Sequence, residues 1–110
     1  MRVQLDHPAV PRSLIESIVA VYAPRRIILF GSQARGDARA DSDLDLLVEV
    51  DDDVPREVLH WSKRYEARRG YDGSVDIVPY FASKMGKRWN VPGTLAHEAA
   101  LEGVVVYERG

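Results

Sequence analysis

Asp43 and Asp45 stand one residue apart at the start of an apolar run, Leu44 to Val50, and a Gly31-Ser32 pair precedes them across the polar stretch 33–42. Carboxylates that close repel unless something positive sits between them. On a strand, side chains alternate between faces with a period of two. Asp43 and Asp45 are therefore expected to point one way, and Leu44, Leu46 and Val48 the other way, into the core. Two such carboxylates on a rigid element suit Mg²⁺, which takes oxygen ligands and is commonly held by one or two carboxylates together with substrate phosphates. Gly31 would let backbone approach a ligand closely. A short helix beginning at Ser32 would turn amide N–H groups toward an anion. One half of the stretch thus reads as a phosphate holder and the other as a metal holder.

A third acid, Asp76, lies inside the apolar run "SVDIVPY". An aspartate buried in such a run is costly unless it is paired or metal-bound. If this strand lies beside the one that begins at Leu44, Asp76 joins Asp43 and Asp45. Three carboxylates can hold two metals about 3.5–4 Å apart, a pair that clamps both oxygens of a phosphoryl displacement. Asp76 would also be placed to accept the proton of an attacking hydroxyl. Taken singly, each feature has a plainer reading: Asp-X-Asp a solvated strand end, Gly-Ser a turn, Asp76 an edge residue facing water, Arg35 a surface cation. Together they make a specific layout.

The elements that must position these residues follow from periodicity and punctuation. Residues 11–22 read as a helix, with Pro11 in its first turn, an apolar stripe through Leu14, Ile15, Ile18, Val21 and Tyr22, and Pro24 as its stop. Arg26 to Phe30 reads as a buried strand. A short helix over Gln33 to Arg35 is capped by Ser32 and closed by Gly36. Leu44 to Val50 is the second strand. Residues 55–70 read as one long helix, with Val54, Val58, Trp61 and Tyr65 on a core face and Gly70 as its stop. Ser74 to Tyr80 is the third strand, residues 81–91 read either as a broken helix or as a loop, residues 92–103 form a last helix, and Val104 to Glu108 is a closing strand. The order predicts an α/β fold, one sheet with helices packed on it.

The 110 residues suit one domain, 1–110, with one modest core. Seventeen acidic against fifteen basic residues give a net charge of -2, with no bias toward nucleic acid. The absence of cysteine excludes a disulfide scaffold, a thiolate metal site and a cysteine nucleophile, and fits a cytoplasmic chain. Met1 to Arg12 lacks the apolar run of a signal peptide, and no apolar segment approaches the roughly 18 residues a membrane span needs. His7, His60 and His97 are scattered and read as surface or packing residues. The cluster "SKMGKRW" contains Lys84, Lys87, Arg88 and Trp89; it reads as a solvated loop with Trp89 packed on the core, or as a nucleotide wall or partner patch.

The stretch "GSQARGDARADSDLDLLV" resembles the Gly-Ser…Asp-X-Asp signature of the DNA polymerase beta-like nucleotidyltransferases, and "EGVVVYE" near the end is similar to the minimal nucleotidyltransferases. The resemblance runs from about Ile15 to Glu108. It implies the polymerase beta-like fold, a mixed β-sheet with helices packed on it. It implies that Gly31 and Ser32 hold the triphosphate of ATP, that Arg35 contacts phosphate or supports the motif, and that Asp43, Asp45 and Asp76 are the catalytic, Mg²⁺-binding carboxylates of a two-metal site. It further implies a helical partner of the HEPN class, a toxin that such a protein silences by moving AMP onto a tyrosine hydroxyl. A binding-only antitoxin, and a nucleotidyltransferase acting on a small molecule or RNA, are the rival readings; both homo- and hetero-oligomers are compatible with the chain.

Overall fold

A computed structural model describes residues 1–36 and 43–110. Five strands, β1 (Arg2–Val3), β2 (Arg26–Phe30), β3 (Leu44–Val50), β4 (Val75–Phe81) and β5 (Val104–Glu108), form one sheet in the order β1-β5-β2-β3-β4. The sheet is mixed: β2 is antiparallel to both β3 and β5, while β3–β4 and β1–β5 are parallel. Five helices accompany it: α1 (Arg12–Tyr22), the single turn α2 (Ser32–Arg35), α3 (Ser62–Ala67), α4 (Ala82–Arg88) and α5 (Leu95–Glu102). The β-branched and aliphatic runs become the central strands because they can be buried on both sides. The mixed sheet with helices is the predicted fold.

Helices cover both faces. On one, Leu14, Ile18 and Tyr22 of α1 and Ala67 of α3 pack on Ile27, Leu29, Leu44, Leu46, Val48 and Ile77. On the other, Met85 of α4 and Ala96 and Ala99 of α5 pack on Ile28, Phe30, Leu47 and Val105. Leu44, Leu46 and Val48 thus enter the core as expected, but the opposite face of β3 has a smaller core of its own. On that face Glu49 is only 6% exposed, and it accepts from Arg26 Nε at 2.6 Å. The Arg26 guanidinium also lies over the Trp89 ring, 5.7 Å from its centre. Trp89 is therefore a packing residue of the second core. Its neighbours turn toward Tyr80: Lys84 Nζ stands 5.0 Å over the ring and an Arg88 nitrogen 3.4 Å from the hydroxyl.

Several expectations are corrected. The long helix over 55–70 is broken: Arg56–Leu59 is a 3-10 turn, His60 is extended (φ -62°, ψ 139°), and α3 starts at Ser62. At the break the His60 ring Nδ1 accepts from the Ser62 amide at 3.2 Å, a local side-chain bond of the kind that competes with helical pairing. With the helix broken, Trp61 and Tyr65 leave the predicted core face; they are 63% and 65% exposed. The ambiguous stretch after β4 contains α4, whose Ser83 amide donates to Asp52 Oδ1 at 3.0 Å. The last helix starts at Leu95, with Thr94 accepting from the His97 amide. β1 was not foreseen; its two residues are held mainly by backbone bonds to β5 and its flanks. Asp51, which begins the acidic stretch Asp51–Asp53 after β3, is held by Arg25 and Arg109.

Candidate functional site

The site is built at one end of the sheet. Asp45, the second residue of β3, stands in register with Phe30 of β2 on one side and with Asp76, the second residue of β4, on the other. The two aspartates are therefore neighbours on one face of adjacent parallel strands, as the sequence predicts for adjacent strands. Asp43 lies just before β3 and is exposed; Asp76 is exposed and Asp45 half-buried. The expectation that burial makes Asp76 costly is not met: Asp76, near the start of edge strand β4, is exposed, while its neighbour Ile77 turns to the other face and is buried.

Gly31 follows Phe30 directly and faces Asp45. Its backbone has φ 76° and ψ -157°, a conformation available in practice only to glycine. A Cβ added there would stand 2.5 Å from Asp45 Oδ2. The glycine thus makes room for the carboxylate of β3 as well as exposing backbone. Gly31, not Ser32, is the N-cap of α2, and no side chain caps that turn; the expected Ser32 cap is corrected, since the Gly31 carbonyl takes the Ala34 and Arg35 amides, both at 3.1 Å. Gly36 closes the turn in the left-handed conformation, as read from sequence. Arg35, also expected near phosphate, forms an ion pair with Glu102 of α5 at 3.1 Å. The intervening Asp41 and Ser42 of the sequence motif lie outside the described residues.

Electrostatics mark Asp45 as the strained member. Its pKa is raised above the ordinary carboxylate value, first by burial, then by the charges of Asp76, Asp43 and Glu98; Arg35 opposes the rise. Glu98 of α5 is the residue that sequence reasoning missed. It follows the Thr94 cap of a helix whose Ala96 and Ala99 pack on the sheet. Only the three-dimensional fact that α5 covers the carboxylate face brings it near Asp45.

The donor set is all oxygen, and its mutual repulsion is what a cation would relieve. Among the described residues no three acidic or histidine side chains are grouped closely enough to enclose an ion on their own. Such a row suits a hard cation that takes one or two carboxylates and completes its shell from phosphate and water, the habit of Mg²⁺. The histidines take no part: His60 and His97 make local bonds, the latter to the Trp89 carbonyl at 2.9 Å. Among the described residues no helix is long and apolar enough to cross a membrane.

The family model of the nucleotidyltransferase domain matches residues 12–100. No curated protein sequence matches the chain. Among solved structures, the chain is similar to one in a crystal structure of a toxin–antitoxin with AMP-PNP, with a TM-score of 0.61 and 20% identity, covering 91% of this chain and 75% of the other. It is also similar to a provisionally assigned nucleotidyltransferase from Sulfolobus solfataricus, with a TM-score of 0.55 and 20% identity over 87% of this chain and 75% of that one.

Proposed function

We propose a reaction from one premise: this chain belongs to the nucleotidyltransferase domain family. We infer that it moves AMP from ATP to a hydroxyl of a partner protein. The observation that carries this reading is the register of Asp45 with Asp76 beside the glycine turn at Gly31. Gly31 and Ser32 receive the triphosphate, and Arg35, steadied by Glu102, faces the same end. Asp43, Asp45 and Asp76 would hold Mg²⁺, which when bound neutralises charge developing on the phosphate oxygens. Asp76 is exposed and so reaches an incoming hydroxyl; it accepts the proton as the acceptor oxygen bonds to the α-phosphorus and the bond to pyrophosphate breaks.

The partner is inferred from two supports. Asp43 and Asp76 are exposed, so an acceptor can approach them, and a docked protein would hold its hydroxyl in line. A structural neighbour is part of a toxin–antitoxin crystallised with AMP-PNP. We therefore read the acceptor as a tyrosine on a helical toxin of the HEPN class, residues 1–110 as one domain serving as its antitoxin, and the cytoplasm as the place of reaction.

The metal assignment has its own test. Calorimetric titration with Mg²⁺ and a nonhydrolysable ATP analogue should show metal-dependent binding in the parent. Asp45→Asn should weaken it by at least about tenfold, equivalent to roughly 1.4 kcal/mol. Unchanged metal-dependent binding in a folded Asp45→Asn variant would remove the carboxylate row as the metal site.

A further inference from the structure

The exposed face of α3 is unused by the reaction and unusual in make-up. Trp61 and Tyr65, one helical turn apart, stack edge-to-face at 5.6 Å with planes at 84°, and His60 lies 5.4 Å from Trp61. Both large rings are mostly in solvent. Arg64, within α3, and Arg69, in the turn that follows it, are also exposed, and among the described residues neither forms an ion pair. Trp, Tyr and Arg are the residues that dominate binding energy at the centres of protein interfaces, and solvated aromatic clusters on a soluble surface mark recognition sites.

The position of the face connects it to the site. α3 ends at Ala67, Arg68 donates to the Gly73 carbonyl at 2.7 Å, and the Ser74 carbonyl accepts from the Leu44 amide at 3.0 Å. The C-terminal end of α3 therefore leads, through one short loop, to the end of the sheet where Asp43, Asp45 and Asp76 stand. α3 packs on the face of the sheet opposite Asp45 and Asp76, so a body resting on α3 meets the carboxylates only by extending past this end of the strands.

We propose that the Trp61–Tyr65 face, flanked by Arg64 and Arg69, is the docking surface for the acceptor protein, and that the surface it receives is acidic. The charge of the face selects this occupant. Two copies of this chain meeting through this face would bring two basic surfaces together, and like charges at an interface disfavour the pair. An acidic partner complements both guanidinium groups and covers the rings. The inference rests on the reading that the acceptor is a protein.

The test measures association of the helical partner with the parent, with Trp61→Ala/Tyr65→Ala and with Arg64→Glu/Arg69→Glu, by calorimetry, alongside ATP-analogue binding and transfer. These side chains are outside the catalytic row, so analogue binding stays at the parental level and reports that each variant is folded. Both double variants are expected to weaken association by at least about thirtyfold, given the cost of losing such central residues, and the charge reversal should also slow association, most strongly at low salt. Partner binding within about threefold of the parent, with transfer intact, overturns the docking surface and leaves the transfer reading standing. A parent that neither binds nor modifies the partner overturns both. Self-association of the parent in sedimentation, abolished by Trp61→Ala, assigns the face to a second copy and overturns the proposal, as does binding of a single-stranded oligouridylate probe that depends on Trp61 and Tyr65.

Discussion

Asp45→Asn is expected to lower nucleotidyl transfer by about 10³-fold or more, as removal of a member of a catalytic group acting as a unit does, and at the same time to make the metal-free chain slightly more stable at neutral pH. The two effects come from one cause. Asp45 is held among Asp43, Asp76 and Glu98 and partly withdrawn from water, which raises its pKa from the ordinary 3.8. The folded chain therefore binds this proton more tightly than the unfolded chain. Stability from this group is greatest when it is protonated and declines as pH rises from the unfolded value through the raised one. Above that window the ionised Asp45 opposes folding, and the neutral amide removes the penalty. Because the group is only partly buried, solvent screening limits the gain to about a few tenths of a kcal/mol. Denaturant unfolding without metal, compared at pH 7 and at pH 4, gives the check: the advantage of Asp45→Asn should shrink toward acid. A variant that is less stable than the parent at neutral pH and still transfers would contradict the account of this residue.

Gly31→Val is expected to cost stability and function together. The glycine occupies a backbone region that costs a side-chain-bearing residue about 1–3 kcal/mol, and its Cβ would meet Asp45 Oδ2 at 2.5 Å. The carboxylate must then leave the row or the turn must shift. Nucleotide binding should fall by more than about tenfold, with unfolding free energy reduced by about 1–3 kcal/mol. A double-mutant cycle separates the causes. Combining Gly31→Val with Asp45→Ala relieves the clash but not the backbone strain, so the pair should be less destabilising than the sum of its parts. Strict additivity would show that Gly31 and Asp45 do not meet.

What the sequence disclosed, it disclosed through local pattern. Period-two alternation set Leu44, Leu46 and Val48 inward, and an adjacent third strand put Asp76 beside Asp45, as the register bears out. Gly31 was legible as a backbone position, but that its missing Cβ accommodates Asp45 depends on the pairing of β2 with β3, which local pattern does not state. Glu98 and Glu102 were invisible for the same reason: each is a polar residue on a helix until the packing of α5 places one near Asp45 and the other on Arg35. Trp61 and Tyr65 misled because apolar spacing along 54–65 fits a continuous helix, whereas His60 is extended and its side chain bonds the Ser62 amide instead. The second face of the sheet, where Leu47 is buried and the buried Glu49 accepts from the half-buried Arg26, was not specified, because the pattern assigned a core side of β3 only to Leu44, Leu46 and Val48.

The central claim is that Asp76, in register with Asp45, takes the proton when AMP passes from ATP to a hydroxyl of the partner. Intact-mass spectrometry of the helical partner after incubation with the chain, ATP and Mg²⁺ tests it most directly. The parent should raise the partner's mass by whole adenylyl groups, and Asp76→Ala should leave the mass unchanged while the two proteins still associate. A partner whose mass never changes, yet whose activity is blocked on contact with the parent, would contradict the claim and make this chain an inhibitor by binding alone.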